Sequence, residues 1–287
     1  MLITGANGFI GSNFLKHVKG RGNILAPSHK QLDILDKKAL KEIFNTYAPQ
    51  VVINFAAHRD ANSAELQRGD RKGSAWETNV DGMKNLFSIS QENNSFFIHI
   101  STDMVFAGAK ERPGPYDESA EVETDIHKLS WYGWTKAEGE RIINGKKHAA
   151  IVRIGNVTEA MYDPKLDYVG KILYLFDHKR LYPLFYDQYI TLTYIPKIFE
   201  TIDAIVKSRK NGIFHVASAN RVSPHALATY LIKKTRKKTI LAKISIEEYL
   251  KESPNRYPIA GGLSAEQTEK ILGIRPITWQ EIADLYT

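Results

Sequence analysis

TGANGFIG, residues 4–11, follows the very short apolar run LIT (2–4) and spaces Gly5, Gly8 and Gly11 by three. At a turn from strand to helix each glycine has its own use. Gly5 allows a tight bend, Gly8 removes a side chain where a pyrophosphate must approach the backbone, and Gly11 lets the new helix lie against the sheet. Backbone N–H groups at the helix start, at its positive dipole end, would hold the phosphates. With Asn7, Phe9 and Ile10, these positions form a candidate phosphate loop. The spacing differs from G-x-G-x-x-G, so position carries the reading: the glycines follow the first strand and open a helix.

The same alternation continues outward. NILA (23–26), VVINFA (51–56), FFIHIS (96–101) and HAAIVRI (148–154) read as strands. They are separated by helix-length segments at 35–48, 74–94 and 130–145. Strands alternating with helices predict a doubly wound parallel sheet, and the near-absence of alternation within VVINFA and AAIVRI predicts that both faces are covered. Beyond residue 155 the pattern loosens. The aromatics of residues 166–194 read as core packing, PKIFETIDAIVKS as an amphipathic helix, GIFHVAS (212–218) as a strand and SPHALATYLIKKT as a helix opened by Ser and Pro. The expected organisation is α/β: a Rossmann-type dinucleotide-binding domain over residues 1–155 and a smaller C-terminal α/β substrate-binding domain over 156–287. Segments near 190–218 are expected to return to the first domain.

The 287 residues include no cysteine, which excludes disulfides, thiolate nucleophiles and thiolate metal sites. No apolar run approaches bilayer length, and the N-terminus lacks the basic and apolar parts of a secretory signal. A cytoplasmic protein without membrane contact is expected. The net charge is +7, much of it in KKTRKKTILAK (233–243). Without interleaved aromatics that run reads as a solvated helix end rather than a nucleic-acid surface, although a basic surface suits an anionic small substrate. The nine histidines form no H-x-x-x-H or H-E-x-x-H pair, and no metal site is expected.

At the end of the second strand, where an acid would bind the 2′-hydroxyl of NAD, the chain reads APSHK (26–30). Ser28, His29 and Lys30 suit a 2′-phosphate and favour NADP, with NAD the alternative. Asp33 is the competing contact, at the adenine. SWYGWTK puts Tyr132 and Lys136 one helical turn apart on one face, where an ammonium would lower the phenol's pKa. Tyr132 could then exchange a proton with a hydroxyl or carbonyl. In HISTDMVF, Ser101 and Thr102 fall at the C-terminal end of a strand, where parallel sheets bind ligands.

Taken in order, TGANGFIG, NFAA (54–57), NVDGMKNL (79–86), HISTDMVF, YGWTK and VRIGNV (152–157) resemble the extended short-chain dehydrogenase/reductases. LDILD, STDMVFAG, GPYDES, DQYITLTY, GIFHVAS and LSAEQTEKILGI are similar to the dTDP-4-dehydrorhamnose reductase branch, so the resemblance spans the chain. It implies hydride transfer from NAD(P)H to the C4 keto carbon of a nucleotide-linked deoxysugar, with Thr102, Tyr132 and Lys136 catalytic. It also implies cofactor contacts from Ile34, Phe55, Ala56, Ala57, Ser101 and Asn79, the last more a support of the site than a participant. Asp103, Met104, Phe106, Asn156 and Arg256 are the implied substrate contacts, and a homodimer is compatible with the family. The branch usually has Tyr at Met104 and an aromatic at Asn156, and the loop after NFAA differs. Related dehydratases carry T-D-E where this chain has Thr102–Asp103–Met104, and a thioether cannot remove a proton. Two other readings stand beside the reductase: a nucleotide-sugar 4-epimerase with bound NAD, and a non-catalytic NADP-binding regulatory subunit.

Overall fold

The computed structural model describes residues 1–160, 167–235, 239–253 and 256–287. Its main sheet has the order β1 (Leu2–Thr4), β2 (Val51–Asn54), β3 (Phe96–Thr102), β4 (Ala149–Ile154) and β5 (Gly212–Val216). β1 pairs with β2, and β2 with β3, in parallel. Every residue of β1 to β4 is buried, so both faces are covered and an unbroken apolar run is the stable sequence there.

The strand expected at 23–26 is reduced to one position. Leu25 bridges Leu2 in parallel, with hydrogen bonds from Leu25 N to Met1 O (2.9 Å) and from Ile3 N to Leu25 O (2.8 Å). β1 offers only three residues to pair with, and Pro27, two places on, has no N–H to extend the ladder. The bridge still sets the topology. From β1 the chain moves to one side at Leu25 and then back to the other at β2. The order of winding therefore reverses beside the C-terminal end of β1, the place where open α/β sheets bind ligands.

Helices α1 (Phe9–His17), α2 (Lys37–Tyr47), α3 (74–92) and α4 (Trp131–Ile143) accompany these strands. Asp36 caps α2 by accepting from Lys38 N and Ala39 N, and the helix buries Leu40 and Phe44, four residues apart on one face. These join Leu2, Val52, Phe97, Met83, Leu86 and Phe87 in one core, where Phe87 meets Phe97 edge-on with ring centroids 5.3 Å apart. Within α3, residues Glu77–Gly82 make a π-helical turn.

The chain divides into two compact units. The first comprises Met1–Val105, Val122–Arg153 and Thr201–Phe214; the second comprises Phe106–Glu121, Ile154–Glu200 and His215–Thr287. The returning segment is thus 201–214, and residues 106–121, expected in the first domain, lie in the second unit. Local chemistry explains the transfer: Phe106 stacks on Tyr116 with centroids 4.1 Å apart, and Tyr116 bridges Leu263.

The second unit contains helices α5 (Tyr168–Asp177) and α7 (Pro224–Lys234), while α6 (Ile195–Ser208) begins in it. It also has two short parallel pairs, Val157–Thr158 with Thr193–Tyr194 and Leu184–Phe185 with Lys243–Ile244. Ser223 caps α7 by accepting from Ala226 N, with Pro224 at the first helical position. Val169, Ile172, Leu192, Leu227, Leu231 and Ile282 form its core. Three aromatics expected in that core are not there: Tyr182, Tyr186 and Tyr189 are 54%, 45% and 46% exposed. In the basic run, Lys234 pairs with Asp284 at 3.0 Å, while residues 236–238 lie outside the described residues.

Candidate active site

The glycine loop is shaped by close approach. Gly5 has φ +68°, and a Cβ there would stand 2.5 Å from Ala56 N and from the carbonyl carbon of Phe55. A Cβ on Gly11 would collide with Gly5 O and press on Ala6 Cα, so the helix can lie this close only without a side chain. Gly8 is the N-cap of α1 and supplies no side-chain cap, which leaves the first-turn amides facing outward. Beside them is a cleft of about 170 Å³ lined by Thr4, Gly5, Ala6, Asn7, Gly8, Pro27, Ser28, His29, Leu32, Asp33, Ile34, Leu35, Ala56 and Thr78. This is the reversal point of the sheet. The loop and cleft fit a dinucleotide: glycine-lined backbone for the pyrophosphate, a helix start for its charge, and polar side chains at one end.

Asn7, Ser28, His29, Asp33, Ile34 and Ala56 meet in that cleft, whereas Lys30 and Ala57 are not among its walls. Two side chains there are already engaged. Ser28 N and Oγ both donate to Gln31 Oε1 (2.9 and 2.8 Å), and Asp33 Oδ1 accepts from Leu35 N at 2.9 Å. Phe55 packs on Phe14, with centroids 5.4 Å apart. Thr4, Ala6, Pro27, Leu32, Leu35 and Thr78 were not anticipated; Thr4, Ala6 and Pro27 adjoin strand ends in the sequence, whereas Leu32, Leu35 and Thr78 carry no such signal.

The catalytic candidates gather where β3 ends. Thr102 Oγ1 donates to Asp103 Oδ1 and accepts from Met104 N, both at 3.2 Å. The Tyr132 phenol is near enough to Thr102 for that hydroxyl to favour its ionised form. It arrives there because α4 starts at the Ser130 cap, whose Oγ accepts from Gly133 N at 3.1 Å, and because Gly133 permits contact with Met104 O. A Cβ at residue 133 would overlap that carbonyl. Farther along the helix, a Cβ on Gly139 would stand 2.8 Å from Asn79 O, inside the π-turn of α3. Glycines thus seat α4 against both neighbours.

Asn79 does not reach the cleft. It is 1% exposed and spends its amide on scaffolding: Oδ1 accepts from His58 N (2.9 Å), while Nδ2 donates to His58 O (3.0 Å) and Thr135 Oγ1 (2.9 Å). Ser101 is buried, and its Oγ has no hydrogen-bond partner, leaving a polar atom for a ligand at the strand end.

The ammonium–phenol expectation needs correcting. Burial pushes Tyr132 up to about 12, with the Asp103 charge adding to the rise and the Thr102 hydroxyl and Arg59 opposing it. Lys136 turns elsewhere: its Nζ donates to Ile100 O at 2.7 Å and lies 2.9 Å from His99 Nε2. Burial lowers Lys136 to about 8, opposed by the Glu140 charge, and drives His99 well below its ordinary value. Asp103 rises to about 6, again through burial, against hydrogen bonds from Thr102 and the backbone.

Behind Lys136 runs a buried polar row that the sequence reading missed. Thr4, Asn54 and His99 occupy matching register positions on β1, β2 and β3. Thr4 Oγ1 donates to Asn54 Oδ1 at 2.7 Å, and Asn54 Nδ2 lies 3.2 Å from His99 Nδ1. The available signal was a polar residue interrupting each apolar run near its end: Thr4 in LIT, Asn54 in VVINFA and His99 in FFIHIS.

Of the expected substrate contacts, Asp103 and Met104 flank Thr102, while Phe106, Asn156 and Arg256 lie in the second unit. Phe106 is 2% exposed and packed between Tyr116 and His215, so it is a core residue there rather than a pocket wall. Asn156 has φ +47° and donates through Nδ2 to Thr191 O at 3.1 Å. Arg256 is half-buried. Among the described residues no cluster of acidic or histidine side chains is arranged to hold a metal, and no helix is long and apolar enough to cross a membrane.

Comparison with known proteins gives concordant findings. A family model described as the RmlD substrate binding domain matches residues 1–286. A dTDP-4-dehydrorhamnose reductase of Aggregatibacter actinomycetemcomitans is 29% identical over 98% of this chain and 95% of its own. The solved structure of a dTDP-4-dehydrorhamnose reductase from Clostridium acetobutylicum superposes with a TM-score of 0.85 at 28% identity, covering 99% of this chain and 97% of that one. Methionine adenosyltransferase 2 subunit beta of Xenopus laevis is 33% identical over 53% of this chain and 45% of its own.

Proposed function

Because the chain belongs to the RmlD substrate-binding-domain family, we propose that it is an NADPH-dependent reductase acting on the C4 keto group of a nucleotide-linked deoxysugar. The observation that carries this reading is the Tyr132 phenol held beside the Thr102 hydroxyl at the end of β3, in the sheet whose reversal point forms the glycine-lined cleft. NADPH, when bound, supplies a hydride.

The chain's own residues account for the remainder. Backbone amides of residues 8–11 hold the diphosphate, and Gly8 keeps their approach open. Ser28 and His29, with no acid between Ala26 and Lys30, suit a 2′-phosphate better than a free 2′-hydroxyl. Thr102 Oγ1 hydrogen-bonds the keto oxygen and polarises it. Tyr132, kept protonated by burial, donates its proton to that oxygen as negative charge develops. Asp103 and Met104, next to Thr102 in the chain, are the candidate contacts to the sugar.

A second reading, a cofactor-binding subunit without turnover, draws on the likeness to methionine adenosyltransferase 2 subunit beta. The presence of Thr102, Tyr132 and Lys136 together favours the enzyme. The deciding assay mixes the protein with a panel of dTDP- and UDP-linked 4-keto-6-deoxy sugars and either NADPH or NADH, following the loss of reduced-coenzyme absorbance. Turnover with one sugar and a preference for NADPH is expected. Tight NADPH binding with no turnover on any sugar would replace the reductase by the subunit.

A further inference from the structure

Residues 122–130, which lead into α4, contain neither helix nor strand, yet they deliver Tyr132 to a fixed place in the second position of that helix. Ser130 satisfies one first-turn amide, Gly133 N, through its Oγ. The Trp131 amide has no acceptor within the helix. Glu65 supplies one from a separate element: its Oε2 accepts from Trp131 N at 2.8 Å. Arg68 grips the same carboxylate at two points, Nε to Oε1 at 2.6 Å and Nη2 to Oε2 at 3.1 Å. The guanidinium spends its other hydrogens on the incoming loop. Nη1 donates to Ile126 O at 3.2 Å and Nη2 to Leu129 O at 2.6 Å.

We propose that Glu65 and Arg68 are positioning residues, a clamp on the start of α4 that sets where the Tyr132 hydroxyl lies. The Glu65 side chain is 8% exposed and that of Arg68 25%, so solvent and salt screen the pair far less than a surface pair. The clamp is itself anchored. Asp60 caps the short helix Ala61–Glu65 by accepting from Ser63 N at 2.8 Å, and Ala64 of that helix packs with Trp76 and Trp131 in one apolar cluster. The two indoles stack with centroids 5.9 Å apart, and Ile126 and Tyr132 lie against the same cluster. The ring of Tyr132 is thus held by packing while the backbone just before it is held by Glu65. Pairing also has an electrical use. Glu65 bonds the residue preceding the proton donor, and joined to Arg68 it orients the chain there without leaving a net charge.

The catalytic consequence rests on the reductase reading. A proton donor displaced by about 1 Å loses about 10²-fold in rate. Glu65→Leu should therefore lower kcat per folded enzyme by about 10- to 100-fold, while the sugar KM and the NADPH Kd change by less than about threefold. Glu65→Gln keeps an acceptor for Trp131 N and should recover most of that loss. A role in stability alone would lower the unfolding midpoint and leave kcat of the folded Leu variant within about twofold of wild type, and that result would overturn the proposal. So would a Gln variant as slow as the Leu variant. A second measurement uses the protein without coenzyme or sugar: amide hydrogen exchange followed by NMR. The Trp131 amide should be protected in wild type and exchange at least about tenfold faster in Glu65→Leu, with amides later in α4 unchanged. Equal Trp131 exchange in the two proteins would remove the clamp even from an active enzyme. Should the wild-type protein reduce no sugar, the reductase reading falls and the exchange rates still judge the clamp. If the Leu variant does not fold, Arg68→Met takes its place in both measurements, since it releases Ile126 O and Leu129 O and should lower kcat and Trp131 protection together.

Discussion

At Tyr132 the oxygen proposed to protonate the alkoxide is kept as a phenol by burial, which pushes its pKa up to about 12 against the nearby Thr102 hydroxyl. Tyr132→Phe keeps the ring and removes only the proton donor. kcat should fall about 10²–10⁴-fold with NADPH affinity nearly unchanged, the first from turnover and the second from calorimetric titration. Asp103 supplies a prediction of the opposite kind. Its folded pKa of about 6 lies above the ordinary carboxylate value, so the unfolded chain ionises first. Its contribution is therefore neutral below the unfolded value, turns against the fold as pH rises from about 4 to about 6, and is level above that. Asp103→Asn keeps an acceptor for Thr102 and removes the ionisation, so the variant should match wild type near pH 4 and exceed it by about 1–2 kcal/mol at pH 8. Denaturant midpoints at the two values check this, and a gap that narrows as pH rises would contradict it. The place of Thr102 at a strand end and of Tyr132 and Lys136 one helical turn apart was legible because both are local properties. The orientation of Lys136 was not, because it depends on His99 and Ile100, a strand away in the sequence.

Helix α4 is positioned by what it lacks. Gly133 and Gly139 let it settle on Met104 O and Asn79 O, and Tyr132 reaches Thr102 through that closeness. Gly133→Ala places a methyl in the space of a backbone carbonyl that cannot swing aside as a flexible side chain would. It should cost about 1–3 kcal/mol and lower kcat more than it weakens NADPH binding, since the phosphate loop is untouched. At its other end, the buried pair Glu140–Arg153 ties α4 to β4. Glu140→Leu removes the carboxylate from a guanidinium at 1% exposure and should destabilise by about 3–5 kcal/mol in equilibrium unfolding. The sequence pattern located this helix and its neighbours but not the π-turn at Glu77–Gly82. A single widened turn leaves the apolar stripe of residues 74–92 nearly in phase. Likewise NILA has the composition of a strand, but pairing at Leu25 alone reflects how little edge β1 offers.

For the molecule as a whole, the glycine loop and the order of strands agree on one location, although only the first was readable in advance. Strand order is a long-range property; once Leu25 is seen outside β1, the winding reversal falls where TGANGFIG had already pointed. The division into units was partly hidden for the same reason, since residues 106–121 leave the first unit through contacts with residues more than a hundred positions away, such as Leu263. A ligand that binds the folded cleft and not the unfolded chain must stabilise the fold by mass action. At a concentration about a hundred times its Kd, NADPH should add about 2.7 kcal/mol, raising the melting temperature progressively with ligand. NADH at the same concentration should add less, because Ser28 and His29 have no 2′-phosphate to meet. His29→Asp would return an acid to that end of the cleft and should bring the two coenzymes together by weakening NADPH. Equal shifts from both coenzymes in the wild-type protein would mean that residues 28–30 do not select for the 2′-phosphate.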